Sequence, residues 1–119
     1  MPLLTDYLTY ADAQLHCNAD ALWALFDGNR ERFNITHECV DRHAHSGRTA
    51  VIVVRADGSE EHVSYAELAR DAARFAHVLA ARGVRPGDRV AVMLEPSRAF
   101  YVSLFGAIKL SAIAVSLFT

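Results

Sequence analysis

Residues 37–45 carry the densest group of side chains that could bind a metal ion. They are His37, Cys39, Asp41, His43 and His45. Imidazole, thiolate and carboxylate groups are the usual ligands of Zn²⁺, but they must converge on one point. If the segment is helical, His37 and Asp41 share one face, whereas Cys39 and His43 lie on nearly the opposite face. His45 lies beyond the helix end, so each face offers two ligands at most and no metal site is predicted here.

Other groups of reactive side chains form no catalytic pattern either. Glu60 and Glu61 are adjacent on a predicted strand, where neighbouring side chains point to opposite faces, so they are a poor acid–base pair. No G-x-S-x-G or H-E-x-x-H motif is present. The run from Gly83 to Gly87 has the glycines of a phosphate loop, but it precedes a strand and contains Pro86. The residues alone therefore predict no catalytic, cofactor-binding or metal-binding residue.

Composition is typical of a folded domain of ordinary charge. The chain has 119 residues, of which 52% are hydrophobic, and a net charge of −2. This hydrophobic fraction excludes a disordered chain, and the absence of a basic surplus argues against a nucleic-acid partner. Cys17 and Cys39 lack metal-type spacing and are interpreted as reduced thiols of a cytoplasmic protein. The first residues lack the basic and apolar regions of a secretory signal.

Residues 99–118 leave a membrane helix open as an alternative. Their only charge is Lys109, and the run is nearly long enough to cross a bilayer. Lys109 would then lie near the midplane, at a cost of roughly 3 kcal/mol on insertion scales. Residues 112–115 also suit a buried strand as well as a helix. We therefore predict no membrane span.

Three short helices are predicted in the N-terminal part of the chain. The first runs towards His16, the second ends at residues 27–29, and the third covers residues 35–43. Their caps are Thr5 or Asp6, then Asn18, then Asn34. The inward residues are Tyr7, Leu8, Ala11 and Leu15 in the first helix and Ile35, Cys39 and Val40 in the third. Trp23 and Phe26 of the second helix could form a ligand platform, but such a pair more often indicates core packing.

A β-hairpin and a long helix are predicted next. Residues 50–55 and 60–64 are the two arms, and Asp57-Gly58 is a two-residue turn signal between them. Ser64 and Glu67 have the spacing of a capping box. The helix that follows has an apolar face of Leu68, Ala72, Phe75, Ala76 and Leu79. Its charged face, formed by Glu67, Arg70, Asp71 and Arg74, is interpreted as a solvated surface with i,i+3 pairs.

The C-terminal part reads as a strand–helix–strand unit. Gly83 is well placed to end the long helix, and residues 86–88 have the composition of a turn. Residues 89–94 and 112–118 are short apolar runs typical of strands buried on both faces. Ser97 would cap the nearly all-apolar helix between them, which therefore needs cover on both sides. A βαβ unit with parallel strands and a right-handed crossover follows, so the fold class is α/β.

Three stretches of this chain together resemble the adenylate-forming acyl-CoA synthetases, the AMP-binding ligases. They are VSYAEL at residues 63–68, AARFA at residues 72–76 and GVRPGDRVAV at residues 83–92. The similarity extends over residues 34–119, with VDRH at residues 40–43 and AIKLSAIAVSL at residues 107–117. Ser111 and Ser116 depart from the family, which usually has Gly and Pro there.

The resemblance implies a parent enzyme that activates a carboxylic acid. Such an enzyme uses ATP and Mg²⁺ to form an acyl-adenylate and then transfers the acyl group to coenzyme A. The family's phosphate loop, nucleotide-binding motifs and catalytic lysine would all lie beyond Thr119, so no site residue is carried onto this chain. We expect residues 1–49 to form a helical N-terminal segment and residues 50–119 to begin an incomplete AMP-binding domain.

Two other interpretations stay open at the level of sequence. The chain could be a stand-alone, non-catalytic interaction module with the same partial fold, or a membrane-tethered protein. If the chain is a fragment, the neighbours of its last strand would come from later sequence of the parent. One edge of that strand is then uncovered, so we expect the isolated chain to form homo-oligomers.

Overall fold

The computed structural model describes residues 1–117 as a mixed α/β structure. The helices are α1 (Tyr10–Leu15), α2 (Ala19–Trp23), α3 (Ile35–Cys39), α4 (Tyr65–Ala81) and α5 (Arg98–Lys109). The strands are β1 (Thr49–Val54), β2 (Glu60–Ser64), β3 (Arg89–Val92) and β4 (Ile113–Ser116). Single 3₁₀ turns cover Leu4–Asp6 and Asp41–His43. The α/β fold class predicted from the sequence is confirmed.

Two compact units make up the chain, Met1–Phe33 and Asn34–Thr119. The first contains α1 and α2, and the second contains the remaining helices and both strand pairs. The boundary predicted at residue 49 separates a helical N-terminal segment from the start of the AMP-binding domain. The two compact units do not test this domain boundary, so it stays a prediction.

The first unit begins its main helix later than the sequence suggested. The N-cap of α1 is Thr9, whose hydroxyl accepts a hydrogen bond from the Asp12 N–H at 3.1 Å. Neither Thr5 nor Asp6 caps this helix, and the predicted apolar face is wrong. Leu8 is fully exposed, and Leu15 is 82% exposed. A helix of six residues is too short for its periodicity to identify a buried face.

Asn18 caps α2, as predicted. Its side-chain oxygen accepts from the Ala21 N–H at 2.9 Å. The helix ends at Trp23, earlier than the predicted stop at residues 27–29. The rings of Trp23, Phe26 and Phe33 meet edge to face, with centroids 5.2 to 6.0 Å apart. The rings pack on one another, but Phe26 and Phe33 are 41% and 42% exposed, so the predicted burial of Phe26 in a core is wrong.

The second unit opens with α3, where the cap is confirmed and the inward face is wrong. The Asn34 side-chain oxygen accepts from the Thr36 N–H at 3.0 Å. The predicted helix over residues 35–43 is split into α3 and the 3₁₀ turn. Ile35 is 48% exposed and Cys39 is exposed, whereas Thr36 is fully buried. Only Val40 of the predicted inward set is buried, at 1% exposure.

The β1–β2 hairpin forms as predicted, with a longer turn. The strands pair antiparallel, with a register irregularity between Thr49 and Val51. The Arg55 N–H donates to the Ser59 carbonyl at 2.9 Å, so three residues, 56–58, separate the bonded pair rather than two. The third of them, Gly58, has a φ of +81°. This is the three-residue hairpin in which a left-handed glycine closes the loop.

The long helix α4 matches its prediction at both ends. The Ser64 hydroxyl accepts from the Glu67 N–H at 3.2 Å, and the Glu67 carboxylate accepts from the Ser64 N–H at 2.9 Å. At the other end, Gly83 has a φ of +89°. The Gly83 and Val84 N–H groups donate to the carbonyls of Ala80 and Leu79, the two bonds of a Schellman motif.

The apolar face of α4 packs along α5 and over the hairpin. Val40, Val63 and Leu68 form the core of this unit, and each is at most 2% exposed. Partly buried side chains of α5 pack against them, namely Tyr101, Val102 and Phe105. At Gly106 the helices approach so closely that an added Cβ would lie 2.9 Å from the Ala72 carbonyl oxygen. Glycine at this position lets the two backbones meet.

The predicted strand–helix–strand unit is present. β3 and β4 pair parallel, with Arg89 opposite Ile113 and Val92 opposite Ser116. The strands are shorter than predicted, and the predicted burial on both faces is wrong for the described residues. Met93 is 63% exposed and Ile113 is 50% exposed. Phe118, the last residue of the predicted strand, lies outside the described residues.

Helix α5 begins and ends close to its predicted bounds. The Ser97 hydroxyl accepts from the Phe100 N–H at 3.2 Å. The helix is only partly covered, since Gly106 and Ala107 are its fully buried residues. Within residues 1–117 no helix combines the length and apolarity needed to cross a bilayer.

Candidate functional site

One pocket of the second unit lies between the hairpin and the helices. It encloses about 370 Å³. It is lined by Cys39, Val40, Ala50, Val51, Ile52, Tyr65, Leu68, Tyr101 and Phe105. The lining supplies one thiol and two phenols but no carboxylate, imidazole or amine that could activate them. The pocket can therefore hold apolar groups, and its lining residues form no nucleophile–base pair.

A charged cluster connects three elements on another side of this unit. The Arg98 guanidinium at the start of α5 donates to Asp71 of α4 at 2.6 Å and lies 3.8 Å from Glu61 of β2. Glu61 in turn accepts from Arg55 at 2.5 Å. Arg70 and Arg74 flank Asp71 at 3.0 and 3.8 Å.

This cluster corrects the interpretation of the charged face of α4. Of the two predicted i,i+3 pairs, Asp71–Arg74 is observed, whereas the Glu67 carboxylate serves the helix cap. Hydrogen bonds from Arg98 and then Arg70 hold the pKa of Asp71 below its ordinary value. The same hydrogen bond, which Arg98 donates to the Asp71 carboxylate, raises the pKa of Arg98. The charged face of α4 therefore holds α4 to α5 and β2 as well as facing solvent. Each charged group of the cluster has an oppositely charged partner, as in a structural ion-pair network.

A second set of polar contacts fixes α3 against the end of α5. The Asn34 side-chain nitrogen donates to the Ile108 carbonyl at 2.9 Å, and the Thr36 hydroxyl donates to the Phe105 carbonyl at 2.7 Å. Lys109 donates to Asp41 at 2.5 Å. Sequence analysis treated Asp41 as a potential metal ligand and Lys109 as an isolated charge. The two residues are 68 positions apart in the chain, so no local sequence pattern could have paired them.

The histidines of the predicted ligand-rich segment are not gathered around a metal site. No group of three or more His, Cys, Asp or Glu side chains that could hold a metal ion occurs in the part of the chain that the structure describes. Instead, the ring of His43 packs on that of Tyr65, with centroids 5.3 Å apart.

No described glycine forms a phosphate cradle. The glycines with positive φ are Gly47, Gly58, Gly83 and Gly87. Gly47 and Gly58 precede strands of the hairpin, and the last two flank the turn before β3. A phosphate loop presents several N–H groups at the start of a helix, so these glycines serve turns rather than nucleotide binding.

The three stretches that carried the family resemblance have structural roles: they form a helix cap, a helix–helix contact, and a turn followed by a strand. Residues 63–68 contain the end of β2 and the cap of α4, and residues 72–76 are the part of α4 that packs on α5. Residues 83–92 contain the Schellman glycine, the turn at Gly87 and all of β3. The distances between these stretches in the sequence therefore reflect the lengths of helix α4, of the turn after it and of strand β3.

Comparison with known proteins identifies this arrangement. The AMP-binding enzyme family matches residues 40–119. The chain belongs to this family of AMP-binding enzymes. The acetyl-coenzyme A synthetase of Chlorobaculum tepidum is 32% identical over 106 residues, which are 86% of this chain and 16% of that protein. The acetyl-coenzyme A synthetase of Bradyrhizobium diazoefficiens is 41% identical over 64 residues, which are 51% of this chain and 10% of that protein.

A solved structure shows the same relationship in three dimensions. The acyl-CoA synthetase of Brucella canis superposes with a TM-score of 0.82 and 28% identity, covering 92% of this chain and 20% of that one. The predicted membership of the adenylate-forming acyl-CoA synthetases is confirmed. The chain spans between a tenth and a fifth of the lengths of these three proteins.

Proposed function

We propose that this chain is the opening portion of the large N-terminal domain of an acyl-CoA synthetase. The complete protein would activate a carboxylic acid with ATP to an acyl-adenylate and transfer the acyl group to coenzyme A. One observation carries the proposal: the fold superposes on the acyl-CoA synthetase of Brucella canis with a TM-score of 0.82 over 92% of this chain.

Within such an enzyme, the described residues would have a structural task. The family's cofactors are ATP, Mg²⁺ and coenzyme A, and the described residues do not fit the first two. They contain no glycine-rich helix start and no cluster of carboxylates for a cation. Their contribution is to hold β3 and β4 in register and to fix α5 against α3 and α4 through Asn34, Lys109 and Arg98.

A graft tests whether the segment can serve this task. Residues 34–117 would replace the corresponding positions of the Brucella canis acyl-CoA synthetase, and ATP–pyrophosphate exchange with short, medium and aromatic acids would be measured. We expect the chimera to retain exchange, because the segment supplies the same elements in the same order. The matched control carries Gly106→Val in the grafted segment, which forces α4 and α5 apart and should abolish exchange. A chimera that melts cooperatively but shows no exchange would contradict the proposal.

The purified 119-residue chain should show no exchange above a blank with any of these acids, since it lacks the motifs that bind nucleotide phosphates. Exchange by the chain alone would contradict this assignment of a purely structural task. A stand-alone interaction module would also be inactive alone, but it would have no reason to support exchange in the graft. We also propose that the complete protein is cytoplasmic and that the isolated chain self-associates.

A further inference from the structure

The first turn of α5 departs from the charge pattern of the other described helices. Helices α1 to α4 each carry a carboxylate in the first turn, namely Asp12, Asp20, Glu38 and Glu67. Negative charge is favourable there, because the first turn is the positive end of the helix dipole. α5 has no acidic residue in its first turn and begins with the cation Arg98. The charge of Arg98 is therefore unfavourable for the helix that carries it.

Two carboxylates from other elements compensate this charge. Arg98 Nη2 lies 2.6 Å from Asp71 Oδ2, and Arg98 Nη1 lies 3.8 Å from Glu61 Oε1. Asp71 belongs to α4 and Glu61 to β2, so two other elements hold the start of α5. Rules of local sequence preference are broken chiefly at functional or strained sites. The position of Arg98 in the fold therefore decides what this exception could serve.

Arg98 lies at the carboxyl end of the parallel strands. β3 and β4 pair in register, with Val92 opposite Ser116, so the carboxyl ends of the two strands meet at one edge. Residues 93–97, the β3–α5 loop, lead from the end of β3 to the start of α5. In open α/β sheets, ligands bind in the crevice outside the carboxyl ends of the strands. The β3–α5 loop is therefore placed where a ligand of such a sheet lies.

The two ends of this strand pair are held in different ways. At the amino end, main-chain donors fix the turn before β3. The Gly87 N–H donates to the Ser111 carbonyl at 2.9 Å, and the Arg85 N–H donates to the Asp88 carboxylate at 2.7 Å. At the carboxyl end, the ion pairs of Arg98 tie the α5 side of the loop to α4 and β2. A substitution can remove these ion pairs without removing a bond of the β3–β4 ladder.

We propose that Arg98 is a positioning residue that fixes the β3–α5 loop against the ligand crevice of the complete enzyme. The inference rests on the proposed function, because the crevice is that of an acyl-CoA synthetase. The ion pairs to Asp71 and Glu61 hold the start of α5, and the start of α5 determines the path of the loop. Displacing a group at such a crevice by about 1 Å can lower a rate roughly a hundredfold, because the reacting groups need a defined geometry.

Amide NMR signals of the 119-residue chain test the link between the ion pair and the loop. Asp71→Asn removes the charge of the partner at a position 27 residues from Arg98 in the sequence. We expect the N–H signals of residues 93–95 to shift, because the start of α5 is no longer held. Gly83→Ser, at the other end of the strand pair, should leave these signals unchanged.

Exchange kinetics test the role of the loop in the graft that carries residues 34–117. Arg98→Gln and Asp71→Asn should each lower kcat/KM for ATP–pyrophosphate exchange on the order of tenfold. The double variant should lose little more than the stronger single variant, since both changes remove the same contact. Arg98→Lys should restore part of the loss, because it keeps a positive charge opposite Asp71.

Gly83→Ser in the same graft is the matched control for lost stability. Gly83 has a φ of +89°, and an added Cβ would meet nothing within 4 Å, so the cost of the change is conformational. We expect its thermal midpoint to fall as that of Arg98→Gln does, while its exchange kinetics stay those of the unmodified graft. A merely structural role of Arg98 predicts the same kinetics for both variants.

Two results would overturn this inference and leave the proposed function intact. The first is an active graft in which Arg98→Gln and Gly83→Ser have equal exchange kinetics. The second is a set of residue 93–95 signals that Asp71→Asn does not shift. An unmodified graft that melts cooperatively but shows no exchange would instead contradict the proposed function, and the role of Arg98 at the crevice would be contradicted with it.

Discussion

Arg98 Nη2 donates to Asp71 Oδ2 at 2.6 Å and thereby ties the start of α5 to the middle of α4. The two residues are 27 positions apart in the chain. Their side chains are 32% and 20% exposed, so water screens the pair only in part. Because Glu61 of the hairpin lies on the other side of the guanidinium, Arg98 is the point where strand β2 and both long helices meet.

Arg98→Gln should lower the free energy of unfolding by about 1 kcal/mol, a value discounted for the exposure of both side chains. Asp71→Asn should have a similar effect, and the double variant should cost less than the sum of the two, since both remove the same contact. Urea titration of the four proteins measures this coupling. Strict additivity would show that the pair contributes no interaction energy.

Acid should weaken the wild type more than Arg98→Gln. The pKa of Asp71 is lowered in the folded chain, first by the hydrogen bond from Arg98 and next by that from Arg70. A carboxylate with a depressed pKa contributes stability above its unfolded value, near 3.8, and loses it as the pH falls through the lower folded value. The raised pKa of Arg98 has no effect in the acid range, because arginine is protonated throughout it. Unfolding free energies measured from pH 6 to pH 2 should therefore fall less steeply in Arg98→Gln, and parallel curves would contradict this.

Ser64→Ala should cost roughly 1 kcal/mol of stability, because it removes the side-chain acceptor of the α4 cap. The hydroxyl also donates to the Glu67 carboxylate at 2.8 Å. Ser64→Thr keeps both bonds and should be nearly neutral. Ser64→Asp keeps only the acceptor and places a second carboxylate beside Glu67, so it should be less stable than Ser64→Thr. Denaturant midpoints decide the order, and equal midpoints for the alanine and threonine variants would refute the capping role.

The elements predicted well from sequence are those specified by neighbouring residues. The caps at Asn18, Asn34, Ser64 and Ser97 follow local hydrogen-bonding rules and all form. The 17-residue length of α4 lets its apolar positions repeat often enough to identify the buried face. Such rules need no knowledge of the rest of the fold.

The elements predicted poorly depend on tertiary contacts. Thr5, Asp6 and Thr9 are all acceptable caps by residue type, and only the structure selects Thr9. α3 buries Thr36 because its hydroxyl bonds to the Phe105 carbonyl, a partner 69 residues away. The Asp71–Arg98 and Asp41–Lys109 pairs also join residues that are distant in sequence, 27 and 68 positions apart. For the candidate site, motif spacing identified the family, whereas the pocket walls come from four separate segments that no local pattern could assemble.

Gly106→Ala should destabilise the chain by roughly 1–3 kcal/mol, although alanine favours helix more than glycine does. The added Cβ would lie 2.8 Å from Phe75 Cδ1 and 2.9 Å from the Ala72 carbonyl oxygen. Phe75→Leu in the same chain should restore part of the loss, because it removes the ring contact but not the backbone contact. Thermal melts of the single and double variants measure this. A Gly106→Ala variant more stable than the wild type would mean that α4 and α5 can separate freely.

Ser111 adopts a left-handed backbone conformation that favours glycine. It follows α5 with a φ of +61°, the only described residue other than glycine with a positive φ. The Ser111 and Ala112 N–H groups donate to the carbonyls of Ile108 and Ala107 at 2.8 and 3.0 Å, the same Schellman pattern that Gly83 makes after α4. The Ser111 carbonyl also accepts from the Gly87 N–H at 2.9 Å, so its conformation is fixed from both sides.

Ser111→Gly, the residue that the family usually has, should therefore stabilise the chain. A left-handed conformation costs an L-residue about 1–2 kcal/mol in the folded chain, and glycine removes this cost. The greater freedom of glycine in the unfolded chain offsets about 0.5–1 kcal/mol of that gain. We expect a net gain of about 0.5–1 kcal/mol in the free energy of unfolding.

Two controls make this gain specific to the backbone of Ser111. The reciprocal change Gly83→Ser should cost a similar amount, because a Cβ there meets nothing within 4 Å and the only penalty is conformational. Ser103→Gly, inside α5, should be destabilising, since glycine lowers helix propensity. Urea midpoints measured at one protein concentration compare the three. If Ser111→Gly loses stability while Gly83→Ser does not, the strain lies elsewhere than at this joint.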